Sequence, residues 1–305
     1  MKFNLNELYK IQSGASTKKI YRLKNKIEGK IFVDFSYNYK DYISFLEVSK
    51  FLSNINISVP KIFDKDDSQK VIMMEDFGNI RYDNLINSID PKEILLNAIN
   101  SLIEIQNTQH SLINYNIETY NFCIFKKEIG EFVDYYLPLK NTSQNFVDEF
   151  FFIWQSEFEN INFNWNSFVH KDFELVNLMY LPQRKGHLKC GILDFQNAFI
   201  GFSGWDVFSL LENPRVYFDK HNDELIEYFY RKTNQSLSFS EFLLQYYFLN
   251  TARQSRIIGR WIKLDKKNKN NYYSKYIDVT IKRLKKSLNC LRNKKISKIY
   301  NQIIY

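Results

Sequence analysis

Along the first ninety residues, apolar positions recur mostly at strand spacing, with one stretch at helical spacing. The segment 20–36, IYRLKNKIEGKIFVDFS, predicts two strands joined by a turn through Glu28-Gly29. Residues 41–55 carry apolar side chains at helical intervals. Ser58-Val59-Pro60 ends that stretch, and 61–78 predicts a second hairpin that turns at Asp66-Asp67. Strand, strand, helix, strand, strand makes a small α+β unit. From residue 91 the period becomes helical: 91–109 starts on a proline, a favourable first helical residue, and 122–137 and 143–160 follow. The segment 168–206 differs, with two brief β runs and a concentration of polar residues. Helices over 221–235, 238–262 and 271–299 complete the chain. Near 77–84 a glycine and several polar residues separate the two textures, which predicts segments 1–80 and 81–305.

Composition changes this picture little. With 305 residues, 45% apolar and 25% charged, the chain can bury one large core or two lobes. No apolar run reaches the ~18 residues a membrane span requires, and the N-terminus has no secretory pattern. Cys123, Cys190 and Cys290 stand far apart with no metal spacing, as expected of free, buried thiols in a cytoplasmic protein. The net charge of +8 has a local origin. Residues 263–305 hold thirteen Lys or Arg against two acids, so the rest of the chain is net negative. That pattern reads as a solvated helical face, and nucleic acid is not an expected partner.

Chemistry concentrates in 168–215, FVHKDFELVNLMYLPQRKGHLKCGILDFQNAFIGFSGWDVFSLLENPR. His170-x-Asp172 is followed by Asn177 five positions after the Asp, and the run Cys190–Leu193 leads to Asp194. Phosphoryl transfer needs positioned charge more than covalent chemistry. A carboxylate must accept the acceptor hydroxyl's proton, which suits Asp172. Mg²⁺ takes oxygen ligands and few of them from protein, which suits Asn177 and Asp194. HxD alone is weak; with Asn at +5 and a later strand-Asp-Phe it matches the signature of kinase-fold phosphotransferases. His170 could ligate a metal or act as a base. With no second His or Cys near it in sequence, bracing the loop by hydrogen bonds is the better reading.

This segment resembles the aminoglycoside phosphotransferase and choline kinase superfamily, most closely its bacterial anomeric kinases of N-acetylmuramate and N-acetylglucosamine. Their H-R-D-x-x-x-x-N-L is similar to His170–Leu178, and their G-L-I-D-F-Q-D-A to Gly191–Ala198. Their G-x-x-x-Y-D-L-x-S-L-L-x-D-x-R is similar to Gly201–Arg215. Ser13-Gly14-Ala15-Ser16 before Tyr21-Arg22-Leu23 resembles the turn that covers the ATP phosphates. Met73–Gly78 resembles L-L-E-D-L-G, whose backbone at Glu75, Asp76 and Phe77 would receive adenine. Arg253–Leu264 resembles a helix motif of the same kinases. The resemblance implies a protein-kinase-like, bilobal α+β fold with a small β-rich N-terminal lobe, residues 1–80, that binds ATP. The larger, mainly helical lobe, 81–305, would be catalytic. It implies ATP and Mg²⁺ as cofactors, Asp172 as base, Asn177 and Asp194 on the metal, and Asp206 holding the catalytic loop; a helix cap is the other reading of Asp206.

Two features depart from the pattern. Kinases of this fold usually carry a third-strand lysine paired with a helix glutamate. Here that strand is Ile31-Phe32-Val33-Asp34; Lys30, Lys18 or Lys19 could substitute, and Glu47 is the candidate glutamate. The acceptor is expected to be a small molecule, a sugar above all. A polycationic aminoglycoside or choline fits poorly beside strongly basic C-terminal helices, whereas a neutral or acidic N-acetylated amino sugar fits the charge. Glu128, Arg215 and Arg253 are acceptor-side candidates. A kinase of another small alcohol and a nucleotide-binding pseudokinase stand as alternatives.

Overall fold

The computed structural model describes residues 8–11, 18–23, 29–86, 88–108, 117–216, 219–234 and 236–304. Packing divides the chain into two compact units. The first takes Met1–Glu118, Phe168–Phe199 and Lys220–Asn234; the second takes Thr119–Ser167, Ile200–Asp219 and Gln235–Tyr305. These packing units cut the chain several times, so they divide it differently from the segments 1–80 and 81–305.

The first unit is built on a five-stranded antiparallel sheet. Its strands are β1 (Leu8–Ile11), β2 (Lys19–Leu23), β3 (Lys30–Asp34), β4 (Ile62–Asp66) and β5 (Val71–Glu75), in the order β1-β2-β3-β5-β4. The second hairpin turns after Asp66 as its sequence predicts, while β1 is an additional strand. In the register, Ile20 faces Val33 and Val33 faces Ile72, so these three form one row on one face of the sheet. Val33 and Ile72 are fully buried, and so is one side of the helix α1 (Tyr39–Asn54) through Phe45, Val48, Phe51 and Leu52. Asn38 starts α1 by accepting the Asp41 N–H, the role its short polar side chain favours. Two further helices, α2 (Tyr82–Leu85) and α3 (Pro91–Thr108), follow in this unit.

The second unit begins with α4 (Phe122–Tyr135) and α5 (Gln144–Glu159), started by Asn121 and Ser143 side chains. The segment 168–206, of which Phe168–Phe199 belongs to the first unit, holds four brief strands where the sequence suggests two: β6 (Ser167–Val169), β7 (Leu178–Tyr180), β8 (Cys190–Ile192) and β9 (Phe199–Gly201). Of these, β7 and β8 pair as an antiparallel hairpin. Next come α6 (Trp205–Leu211), α7 (Asn222–Lys232), which belongs to the first unit, and α8 (Phe239–Asn268), the last opened by a reciprocal Ser238–Glu241 capping box. The predicted helix 271–299 is two helices, α9 (Ile277–Leu291) and α10 (Lys294–Ile304), broken where Arg292 takes a left-handed φ of 53°.

A buried aromatic cluster joins the helices of the second unit: Phe125, Phe132, Phe150, Trp154, Phe248 and Tyr300. The basic segment is partly neutralised inside this unit. Lys263 pairs with Glu131, Lys295 with Glu157, and Arg283 is buried against Glu212. The cysteines are free, but only Cys190 is buried; Cys123 and Cys290 are exposed, a correction to the expected packing role of all three. Neither exposed thiol lies on the buried stripe of its helix. No helix among the described residues is long and apolar enough to cross a membrane.

Candidate active site

The candidate residues of the first unit converge on two loops, one ahead of β7 and one after β8. His170 is buried, and its Nε2 lies 2.9 Å from the Leu193 carbonyl oxygen. A carbonyl can only accept, so that nitrogen carries the proton. Burial holds the His170 pKa below the ordinary imidazole value, so the ring is a neutral brace between the loops. Asn177 completes the tie. Its Nδ2 donates to the Asp172 carbonyl at 2.9 Å, and its own carbonyl accepts the Leu193 N–H at 3.0 Å. The structure thus brings His170, Asp172, Asn177 and Asp194 together.

Backbone conformation aims the key side chains. Lys171 has φ 82° and Asp194 φ 65°, left-handed values uncommon for residues with a Cβ. Each stands beside or at a predicted chemical residue, where such conformations are often retained. The surroundings hold them in place. Phe195 stacks on Phe45 of α1 with ring centroids 4.6 Å apart, and Ser44 Oγ donates to the Gln196 carbonyl at 2.5 Å. Ser58 accepts the Ile192 N–H at 2.7 Å through its carbonyl and donates its hydroxyl to Leu188.

Asp194 has a cationic neighbour that sequence reasoning did not single out. Lys18 Nζ donates to Asp194 Oδ1 and lies 3.4 Å from Gln196 Oε1, while Gln196 Nε2 donates to Asp194 at 3.0 Å. Burial works to raise the Asp194 pKa, but Lys18 and these hydrogen bonds outweigh it and hold the carboxyl below its ordinary value. The donor set fits a hard divalent cation. Asp194 is ionised and already carries a cation, and Asn177, with its amide nitrogen committed to Asp172, offers its amide oxygen.

Other predicted residues are placed as follows. Ser13, Gly14, Ala15 and Ser16 lie outside the described residues. At the end of β5, Glu75 pairs with Arg184 at 2.7 Å and Asp76 with Arg22 at 2.5 Å. The backbone N–H groups of Glu75 and Asp76 donate to Lys61 and Gly29. Phe77 packs against Gly191, where an added Cβ would meet its ring at 2.7 Å, and under the Arg184 guanidinium. Asp206 belongs to the second unit, where it is 2% exposed in the first turn of α6; the cap of that helix is Gly204. The acceptor-side candidates also lie in the second unit. Glu128 pairs with Arg256, Arg215 stacks over Trp261, and Arg253 is buried. Among the described residues Glu47, half-buried on α1, has no ion-pair partner.

The sequence profile of the phosphotransferase enzyme family APH matches residues 8–237, most of the chain. The chain belongs to that family. Among its curated relatives, the N-acetylmuramate/N-acetylglucosamine kinase of Caulobacter vibrioides is 24% identical over 257 residues, 77% of this chain and 67% of the relative. The enzyme of that name from Neisseria meningitidis serogroup B is 24% identical over 236 residues, 72% of this chain and 67% of the relative. Among solved structures, a choline/ethanolamine kinase family protein from Mesorhizobium loti aligns with a TM-score of 0.62 at 10% identity, over 97% of this chain and 92% of that one. The GDP complex of wild-type aminoglycoside 2'-phosphotransferase-IIIa aligns with 0.62 at 13% identity, over 92% and 91%. Likeness at such identities speaks for the fold, which is the kinase-like α+β class expected from the sequence.

Proposed function

We propose that this APH-family phosphotransferase moves the γ-phosphoryl group of ATP to a hydroxyl of a small molecule, the anomeric hydroxyl of an N-acetylated amino sugar before others. One observation supports the chemistry: Asn177 hydrogen-bonds the Asp172 carbonyl directly, and Asn177 and His170 both bond the backbone of Leu193, the residue before Asp194. In this reading Asp172 takes the proton of the acceptor hydroxyl as its oxygen attacks the γ-phosphorus. The bond to the β,γ-bridging oxygen breaks, and ADP leaves. Asn177 and Asp194 would hold Mg²⁺, which when bound neutralises charge on the phosphates. Residues 1–80 would form the nucleotide lobe and 81–305 the catalytic and acceptor lobe, with Ser13–Ser16 over the phosphates. Because the N–H groups of Glu75 and Asp76 are committed within the sheet, adenine would meet this segment through carbonyl groups and Phe77. Asp206 keeps its loop-holding role on the resemblance.

The sugar acceptor is supported by the names of the relatives and by charge. The basic segment 263–305 lies almost wholly on helices of the second unit, where a polycation would be repelled. The pseudokinase reading has one observation in its favour, the Lys18 ammonium on Asp194, which if permanent would keep a metal away.

Labelled ATP offered with N-acetylmuramate, N-acetylglucosamine, an aminoglycoside and choline tests all of these. Transfer to an amino sugar is expected, falling by about 10²–10⁴-fold in Asp172→Asn with unchanged thermal stability. Asp172 is half-exposed and its carbonyl, not its carboxylate, receives Asn177, so the fold should tolerate the change. Retained turnover in Asp172→Asn would remove Asp172 from the mechanism, and ATP binding without transfer to any acceptor would favour the pseudokinase.

A further inference from the structure

The geometry points to Lys18 as the cation that grips the ATP phosphates, replacing the missing third-strand lysine and resting on Asp194 until nucleotide arrives. This deepens the phosphotransferase reading and rests on it.

Three observations lead there. First, β3 is closed to a cation on the relevant face. Ile31 and Val33 point to the side shared with Met74 and Ile72, and all four side chains are buried. A lysine there would have to displace the contact between sheet and core. Second, Lys18 leads into the strand beside β3. Ile20 lies opposite Val33 in the register, and Lys18 stands two residues before Ile20, at the bend that leads into β2. Its neighbour Lys19 pairs with Asp34 in the register and lies over the Tyr37 ring, 4.6 Å from the centroid. Lys30, the third candidate, lies over Phe63. Third, Lys18 reaches the site. Its ammonium contacts Asp194 and Gln196, on the loop that would carry the metal, and its side chain is only 14% exposed.

The lysine stem is long and flexible, with donors that turn freely. An ammonium that contacts Asp194 can therefore move to a triphosphate, which carries several negative charges. As it moves, Asp194 becomes available to the divalent cation that accompanies the nucleotide. Lys18 would thus occupy Asp194 in the empty enzyme and contact phosphate in the loaded one.

A guard and a grip predict opposite signs, and calorimetric binding separates them. If Lys18 grips phosphate, Lys18→Met weakens ATP binding about tenfold or more, both with and without Mg²⁺, as expected for loss of one charge-assisted hydrogen bond. Binding of adenosine, which has no phosphate, stays unchanged, and Lys18→Arg restores most of the ATP affinity. If Lys18 only shields Asp194, Lys18→Met binds Mg²⁺·ATP more tightly, and the inference is overturned. Equal affinity in wild type and Lys18→Met overturns it too, while leaving the phosphotransferase reading in place. A wild-type protein that binds no ATP removes both. Adenosine binding also reports that the variant is folded. Should Lys18→Met melt early, Lys18→Gln drops the charge but keeps a polar side chain, and the same signs apply.

Discussion

Helices α4 and α8 approach so closely at Gly259 that a single methyl group tests the packing of the second unit. A Cβ built on Gly259 would stand 2.1 Å from the Glu131 carbonyl oxygen, 2.3 Å from its carbon and 2.6 Å from the Phe132 nitrogen. All three are backbone atoms of α4, so no rotamer change relieves the overlap and the helices must part by roughly 1 Å. A gap of that size forfeits about a quarter to a half of each pair attraction across the seam. With some forty heavy-atom pairs at about 0.1 kcal/mol each, the loss is on the order of 1–2 kcal/mol, and residual overlap brings it to about 3, within the usual range for overpacked cores. Alanine in place of a helical glycine returns about 1 kcal/mol. Gly259→Ala should therefore destabilise by about 2 kcal/mol, lowering Tm by roughly 3 °C. Gly130 is the control. It lies on α4 beside Glu131, a Cβ there meets nothing within 4 Å, and only the propensity gain applies, so Gly130→Ala should raise stability by about 1 kcal/mol. Thermal and urea unfolding measure both. If Gly259→Ala stabilises the protein as Gly130→Ala does, the helices are not in backbone contact and the description of this seam is wrong.

Two further tests concern buried charge. Removing the cation in Arg283→Met leaves Glu212, 1% exposed, with Lys286 at 3.3 Å, so the loss should be about 2–4 kcal/mol, somewhat below that of a buried charge left wholly uncompensated. Glu212→Gln should cost less, because Arg283 keeps Asp219 at 2.8 Å; urea denaturation that ranks the two the other way would contradict the network. At Asp265, burial works to raise the carboxyl pKa, but the Ser274 hydroxyl and the N–H groups of Tyr273 and Ser274 hold it below its ordinary 3.8. A folded pKa below the unfolded one stabilises above pH ~3.8 and loses that contribution as pH falls through the folded value. Asp265→Asn should therefore lower stability at neutral pH and flatten its decline on acidification, read from unfolding midpoints across pH 2–7.

Several elements could be read from the chain because their signals are local. The helix over 91–108 has a proline at its start and a regular apolar face, and the turn after Asp66 is marked by its polar run. The elements that escaped have weak or absent local signals. A four-residue strand such as β1, LYKI, is too short for its alternation to stand out from chance. The break between α9 and α10 falls at Leu291-Arg292-Asn293, with no glycine or proline to announce it. Once Arg292 has turned left-handed, Asn293 accepts the N–H groups of Lys295 and Ile296 and starts the next helix. The end of α8 shifted for a tertiary reason. Apolar spacing weakens after residue 262, but Asp265 reaches across to Tyr273 and Ser274, and the helix continues to Asn268.

The site divides along the same line. Asp172 and Asn177 are five residues apart on one loop, and their hydrogen bond is the physical reason for that spacing, so a pattern in the chain reports a contact in space. Asp194 follows a strand that must pair with β7, which fixes its separation within a hairpin's length. Lys18 meets Asp194 across 176 positions, and no spacing encodes that distance. What the chain does hold is the position of Lys18 just ahead of β2. Ile20, two positions after Lys18, shares the sheet face of Val33, whereas Lys19 pairs with Asp34 on the other face. An ammonium on a long stem is defined by where its tip arrives, so several backbone positions can deliver the same charge. A carboxylate that must accept a proton or hold a metal has no such latitude, since its short stem ties chemistry to backbone position. Loop residues of this kind are therefore legible in order along the chain, whereas the cation opposite them is legible only after the strands have been paired.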